Sequence, residues 1–131
     1  PSLDSDIHFL KQKIKNGADY IITQMFFDNN KFFDFVKKCR AAGITVPIIP
    51  GLKPIATKKQ LNLIPHRFSI ELPDDLIMAI VKAKDNEDVK QIGIEWCLQQ
   101  SKELVAAGIP VLHYYSMGKA ENIKSIAKEI F

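Results

Sequence analysis

Gln24 is the most informative polar residue in this sequence, because it ends the apolar run Tyr20-Ile21-Ile22-Thr23-Gln24, where its amide would be buried unless something paired with it. Two readings stay open for it. One is a structural hydrogen bond to a neighbouring loop. The other is a ligand contact, since an amide offers donor and acceptor together and matches the edge of a pterin or of a nicotinamide carboxamide. Asp28 is either a strand-end acid or, ahead of Asn29-Asn30, a helix cap, and its neighbours favour the cap. His113 stands in another apolar run beside Tyr114 and Tyr115 and reads as a packing residue before a catalyst. His8 and His66 lack partners that would make a triad or a metal site. The sequence carries no GxGxxG, no GxxxxGK[ST] and no HExxH, which removes the simplest nucleotide, phosphate and metalloprotease hypotheses. No self-sufficient catalytic set emerges.

The elements that must position these residues repeat one grammar three times: a helical pattern, a glycine, then a run rich in β-branched and aromatic residues. Gly17 precedes the run to Gln24, Gly43 precedes Ile44-Thr45-Val46-Pro47-Ile48-Ile49-Pro50-Gly51, and Gly108 precedes Ile109-Pro110-Val111-Leu112-His113-Tyr114-Tyr115-Ser116. Each glycine suits the left-handed position just past a helix, and each run is apolar throughout, as strands buried on both faces of a parallel sheet require. Ligand sites in such sheets form at the C-terminal ends of strands, which directs attention to Thr23–Asp28, Ile49–Pro54 and His113–Met117.

Ile7, Leu10 and Ile14 share a helical stripe, with Ser5 or Asp4 available as its cap. A second helix carries Phe32, Phe35, Val36 and Cys39, with Asn29 or Asn30 as alternative caps and Lys37, Lys38 and Arg40 near its end. A short helix from Thr57 to about Ile64, a break at Pro65-His66-Arg67, a helix after Pro73, a long helix from about Glu87 to Ala106 and a last one from Glu121 to Phe131 follow. The predicted order is α-β-α-β-α-α-α-β-α, an α/β fold with parallel strands. Three strands are few, a parallel sheet leaves unpaired edges unless it closes, and the chain opens on a helix. These features suggest strands that the sequence does not contain.

The 131 residues, 47% of them hydrophobic and 25% charged, suit one packed domain rather than a disordered or fibrous chain. The net charge of +3 comes from dispersed lysines, not from the clustered patch of a nucleic-acid binder. Cys39 and Cys97 sit in helical stretches without paired spacing, so they read as buried apolar groups of a reducing cytosol. Neither a leader nor an apolar run long enough to span a bilayer is visible, and the expectation is a cytoplasmic, soluble protein with no membrane partner.

The words Ile22-Thr23-Gln24-Met25-Phe26-Phe27-Asp28 and Ile48-Ile49-Pro50-Gly51-Leu52-Lys53-Pro54 closely resemble methylenetetrahydrofolate reductases. Gly17-Ala18-Asp19, Lys59-Gln60-Leu61 and Gly108-Ile109-Pro110-Val111-Leu112-His113-Tyr114-Tyr115 agree in order and spacing, so the resemblance covers essentially the whole chain. It implies part of an eight-stranded (β/α)8 TIM barrel, with residues 1–131 as its C-terminal part and the three strands as the sixth, seventh and eighth. It also implies an FAD-dependent oxidoreductase that reduces 5,10-methylenetetrahydrofolate to 5-methyltetrahydrofolate with NAD(P)H, in one-carbon and methionine metabolism. The partners implied are the folate substrate, the N-terminal half of the barrel and, for the full-length protein, further copies of itself.

Residue by residue, Asp6, Phe9, Gln12 and Lys13 resemble positions that contact FAD; Asp6 and Lys13 are seven apart and can share one helical face. Gln24 and Gln60 resemble folate-contacting glutamines, with Gln24 also meeting the nicotinamide donor, and Lys119 resembles a basic position near the folate. Where bacterial members place an aromatic residue against the dinucleotide, this chain has Leu63 or Ile64. The family's acidic catalytic residue lies near its first strand and has no counterpart here, so the resemblance places no catalytic residue in this chain and implies that the piece is inactive alone. Two other classes stay open: an interaction module whose sheet edges pair with another chain, and a different β/α-barrel enzyme.

Overall fold

The structure is a computed structural model and describes residues 3–68, 70–115 and 121–130. Its elements are α1 (Leu3–Lys15), β1 (Ile21–Met25), α2 (Asn29–Ala41), β2 (Ile48–Leu52), α3 (Gln60–Phe68), α4 (Asp74–Val81), α5 (Asn86–Ala106), β3 (His113–Tyr114) and α6 (Glu121–Ile130). This is the order the glycine-led pattern predicts. All three glycines carry positive φ, 111° at Gly17, 89° at Gly43 and 90° at Gly108, where an L side chain would be strained.

The strands pair in parallel in the order β1-β2-β3. Ile21 faces Ile48 and Ile22 faces Ile49; Gly51 is opposite Met25 on one side and His113 on the other. β2, paired on both sides, is buried along almost its whole length, as a continuous apolar run should be. β1 departs from that expectation. It alternates, with Ile21 and Met25 buried and Ile22 and Gln24 exposed. The reason is an open face: among the described residues nothing covers the side that Ile22 and Gln24 share.

Several boundaries are corrected. α1 begins at Leu3, so Asp4 and Ser5 lie inside the helix and are not its cap. Asp28 caps α2, as its place ahead of Asn29-Asn30 favours, its Oδ1 accepting from the backbone N–H of Asn30 at 3.0 Å, and Asn29 and Asn30 lie within the helix. The expected break at Pro65 is absent. Pro65 lies within α3, which begins at Gln60 rather than Thr57, and the burial of Ile64 with Leu61 and Phe68 packed beside it outweighs one lost helical hydrogen bond.

Two apolar clusters hold the elements together. Ile7, Ile21, Phe32, Cys39, Ile48, Leu52, Leu104 and Ile126 fill the space between the sheet and α1, α2, α5 and α6. Met25, Phe27, Ile55, Ile64, Leu76, Ile80 and Val89 pack α3, α4 and the start of α5 against the strand ends. Val105, near the end of α5, is 43% exposed.

Both cysteines are free and buried. Burial pushes the Cys97 thiol up to about 12, against the opposing pull of its hydrogen bond with Ser101 and the charge of Lys53, and it raises Cys39 as well. Both thiols therefore stay protonated at neutral pH and unreactive. A thiol-specific reagent at pH 8 should label neither cysteine in the native chain and both in guanidinium, as mass spectrometry would show. Because the raised Cys97 value favours folding below the ordinary 9.0, this contribution to stability should be lost as pH rises from 9.0 to about 12.

Candidate functional site

At the C-terminal end of β1 a cleft of about 360 Å³ opens between α1, β1 and the start of α2. Asp6, Phe9 and Gln24 line it, with Ile22, Thr23 and Lys31 beside them. Its apolar wall is Phe26, Phe32 and Phe35; Phe26 and Phe32 stack with ring centroids 5.2 Å apart and planes 12° from parallel. Aromatic residues at helical spacing usually pack in the core. Phe32 does so, buried to 2% exposure, while presenting an edge to the cleft.

Gln24 projects from the open face of β1, not into the sheet, and its Oε1 accepts only from the backbone N–H of Met25, at 3.2 Å. The amide nitrogen has no protein acceptor among the described residues, so the side chain keeps free donor capacity at the cleft. Burial does not explain Gln24, because it is exposed.

The backbone beneath it is held from both sides. The Thr23 hydroxyl accepts from the Gly51 N–H at 2.9 Å, and the Thr23 carbonyl accepts from the Tyr115 hydroxyl at 2.8 Å. Tyr115 can reach across because Gly51 has no side chain: a Cβ there would lie 2.6 Å from the tyrosine ring and 2.5 Å from the Thr23 carbonyl oxygen. His113 packs edge-on against Tyr115 at 4.6 Å, which fits the packing role expected of it.

α5 secures the loop that follows β1. Trp96 Nε1 donates to the Phe27 carbonyl at 2.9 Å and Gln100 Nε2 to the Phe26 carbonyl at 3.2 Å. Asn29 Nδ2 donates to the Gln100 carbonyl at 3.1 Å and to Glu103 Oε2 at 3.0 Å. Sequence reasoning missed this network, because Gln100 and Asn29 are polar residues whose burial only the tertiary fold dictates.

A second buried polar group lies under β2. Lys53 is 4% exposed and its amine reaches only the Pro54 carbonyl, at 3.4 Å; burial lowers its pKa from the usual lysine range, Cys97 opposing it. Nearby, the Ser101 and Tyr114 hydroxyls share a 2.8 Å hydrogen bond, and burial raises the Tyr114 phenol.

Of the residues singled out by sequence, Asp6, Phe9 and Gln24 meet at the cleft. Lys13 lies on α1 with its ammonium 4.8 Å from the centre of the Phe9 ring, and Gln12 contacts His8 one turn back at 3.4 Å. Gln60 does not line this cleft; its Oε1 accepts from the Ala56 and Thr57 N–H groups at 2.6 and 3.3 Å, pinning the start of α3. Leu63 is 52% exposed and Ile64 is buried, so Leu63 is the residue of that pair open to a ligand. Lys119 lies outside the described residues. The described residues hold no cluster of three or more metal-ligating side chains, and none of their helices is long and apolar enough to cross a membrane.

The family described as Methylenetetrahydrofolate reductase matches residues 1–130 of the chain. Among curated relatives, a "Probable methylenetetrahydrofolate reductase (NADH)" of Oryza sativa subsp. japonica is 38% identical over 93% of the chain and 21% of its own length. A "Probable methylenetetrahydrofolate reductase (NADPH)" of Caenorhabditis elegans is 35% identical over 99% of the chain and 20% of its own length. The chain thus spans about a fifth of these relatives. Among solved structures, an uncharacterized protein from Clostridium thermocellum described as binding two copies of 5-methyl-5,6,7,8-tetrahydrofolic acid superposes with a TM-score of 0.61, at 21% identity, over 97% of this chain and 48% of that one. The arrangement of strands and helices is that of part of a β/α barrel.

Proposed function

Because the chain belongs to the methylenetetrahydrofolate reductase family, we propose that it forms the C-terminal part, strands six to eight, of a barrel that reduces 5,10-methylenetetrahydrofolate to 5-methyltetrahydrofolate with NAD(P)H. The observation that carries this reading is the open cleft where Gln24 presents its free amide beside Asp6 and Phe9. A glutamine can pair with a pterin edge or with a carboxamide, so one side chain serves a folate and a nicotinamide in turn.

FAD fits the neighbouring surface of α1. Phe9 is 58% exposed at the rim of the cleft, an apolar plane of the kind a flavin nucleotide covers, and Lys13 over that ring supplies a cation for a phosphate. Asp6 can accept from a hydroxyl or an amide, and Gln12 offers a further polar contact one turn along. When bound, the flavin supplies the two-electron carrier between nicotinamide and folate. The residues of this chain bind and orient the ligands. Gln24 aligns the reacting heterocycle, the stacked Phe26 and Phe32 keep water from one side, and the Thr23–Tyr115 bond fixes the strand end on which Gln24 rides. Gln60 and Leu63, on α3, and Lys119 act at the folate and dinucleotide.

The open face of β1, with Ile22 and Gln24 uncovered, supports the N-terminal half of the barrel as the partner that completes the site. The acid that protonates the folate comes from that half, and the 131 residues alone turn nothing over. The reaction places the protein in one-carbon metabolism of the cytoplasm.

The test is oxidation of NADH or NADPH by the complete polypeptide carrying these residues, with FAD and methylenetetrahydrofolate supplied. Turnover is expected. In the same assay Gln24→Ala should lower kcat/KM for the folate by about tenfold to a hundredfold through the loss of paired hydrogen bonds. No turnover with either nucleotide would refute the assignment, and an unchanged kcat/KM in the variant would remove Gln24 from the site.

A further inference from the structure

Among the described residues that line the cleft, one is basic. Lys31, in the first turn of α2, faces the space bounded by Gln24 and Phe26, yet its ammonium is paired elsewhere, with Glu71 from the segment between α3 and α4. The side chains are 56% and 82% exposed. An ion pair this open is screened and weakly held, and Glu71 returns to full hydration if it is released. The hydrogen bond and charge of Lys31 keep the Glu71 carboxyl below its usual range. Asp6, across the cleft, repels an anion, and Lys31 is the compensating cation among the residues that line it.

We propose that Lys31 is the anion-recognition residue of this cleft, and that Glu71 is its resting counter-ion, displaced when a carboxylate or phosphate of the ligand arrives. The exchange trades one anionic partner of Lys31 for another, so it costs little Coulomb energy and leaves Glu71 solvated. Where the ligand is a folate, the anion is a carboxylate of its glutamate tail; where it is a nicotinamide dinucleotide, the anion is a phosphate. The proposal deepens the reductase reading by adding a residue that sets ligand preference, and it rests on that reading only for the names of the ligands.

The experiment uses the complete polypeptide and two probes that are not substrates, inorganic pyrophosphate and tri-γ-glutamate. Binding is followed by the NMR shifts of the Lys31 ammonium and the Gln24 side-chain amide at pH 7, at low and high salt. Lys31→Gln should weaken the recognised anion about fivefold and flatten its salt dependence, while Glu71→Gln, which leaves Lys31 unpaired, should tighten it about threefold. The probe that responds identifies the source, carboxylate or phosphate. Equal affinity in the parent and both variants, or failure of Glu71→Gln to tighten either probe, overturns the proposal. A Lys31-dependent response in a protein that oxidises neither nicotinamide nucleotide would sink the reductase reading and leave this one standing; turnover without such a response would do the reverse.

Discussion

Gly93→Ala should destabilise the chain by more than about 3 kcal/mol, a loss read directly from the midpoint of denaturant unfolding. Gly93 sits in the middle of α5 with its backbone pressed against Ile55, the residue just after the Lys53-Pro54 turn that follows β2. A Cβ added there would lie 1.8 Å from the Ile55 carbonyl oxygen and 2.8 Å from its carbonyl carbon and its nitrogen. No rotamer relieves such a contact, because both partners are backbone. The helix would have to move away, and it carries Trp96 and Gln100, which hold the loop after β1. The same substitution should therefore loosen the Gln24 cleft. A variant as stable as the parent would mean that α5 is free to shift, contrary to the buried packing of Val89, Cys97 and Leu104 on either side of Gly93.

The second large effect is expected at Asn29. Asn29→Asp preserves the shape of the side chain but removes the amide that donates to the Gln100 carbonyl and to Glu103, and it sets a second carboxylate against the first. Gln100 Nε2 would keep its acceptor at that position, so the loss is of donors and of charge balance. With Asn29 only 8% exposed, a loss of about 2–4 kcal/mol in unfolding free energy is expected. Adding Glu103→Gln should restore part of it by removing the like charge. If the double variant were no more stable than Asn29→Asp alone, the penalty would lie in the lost donor and not in the facing carboxylates, and a double-mutant cycle separates the two.

The architecture was legible because its signals are local. Gly17, Gly43 and Gly108 announce left-handed turns, and the apolar runs behind them announce strands, so the order of elements follows from neighbours along the chain. The cleft was legible in part. Gln24 stood out as polar at a strand end, and the resemblance assigned Asp6 and Phe9, which the fold brings beside it. What did not show was everything that depends on residues far apart in sequence. Nothing near Gln100 signals that it closes over Phe26, and nothing near Lys31 signals Glu71 as its partner. The exposure of Gln24 was misjudged for a related reason. An apolar strand predicts burial only if both faces of its sheet are covered, and the Ile22–Gln24 face of β1 is open. Pro65 misled through its intrinsic preference, which the burial of Ile64 overrides.

The shortness of β3 has a consequence for how the site holds together. β1, α2 and β2 form a local crossover, whose parallel pairing closes a short stretch of chain. β3, only two residues long, joins β2 across the whole of α3, α4 and α5, so its pairing is the more non-local of the two in the sheet. Yet Tyr115, next to β3, is the residue that bonds Thr23 and steadies the strand end beneath Gln24. Because Tyr115 holds Thr23 from beside a strand of two residues, local opening of β3 should release the site while β1 and β2 stay paired, and faster amide exchange at Tyr115 than at Ile22 would show it.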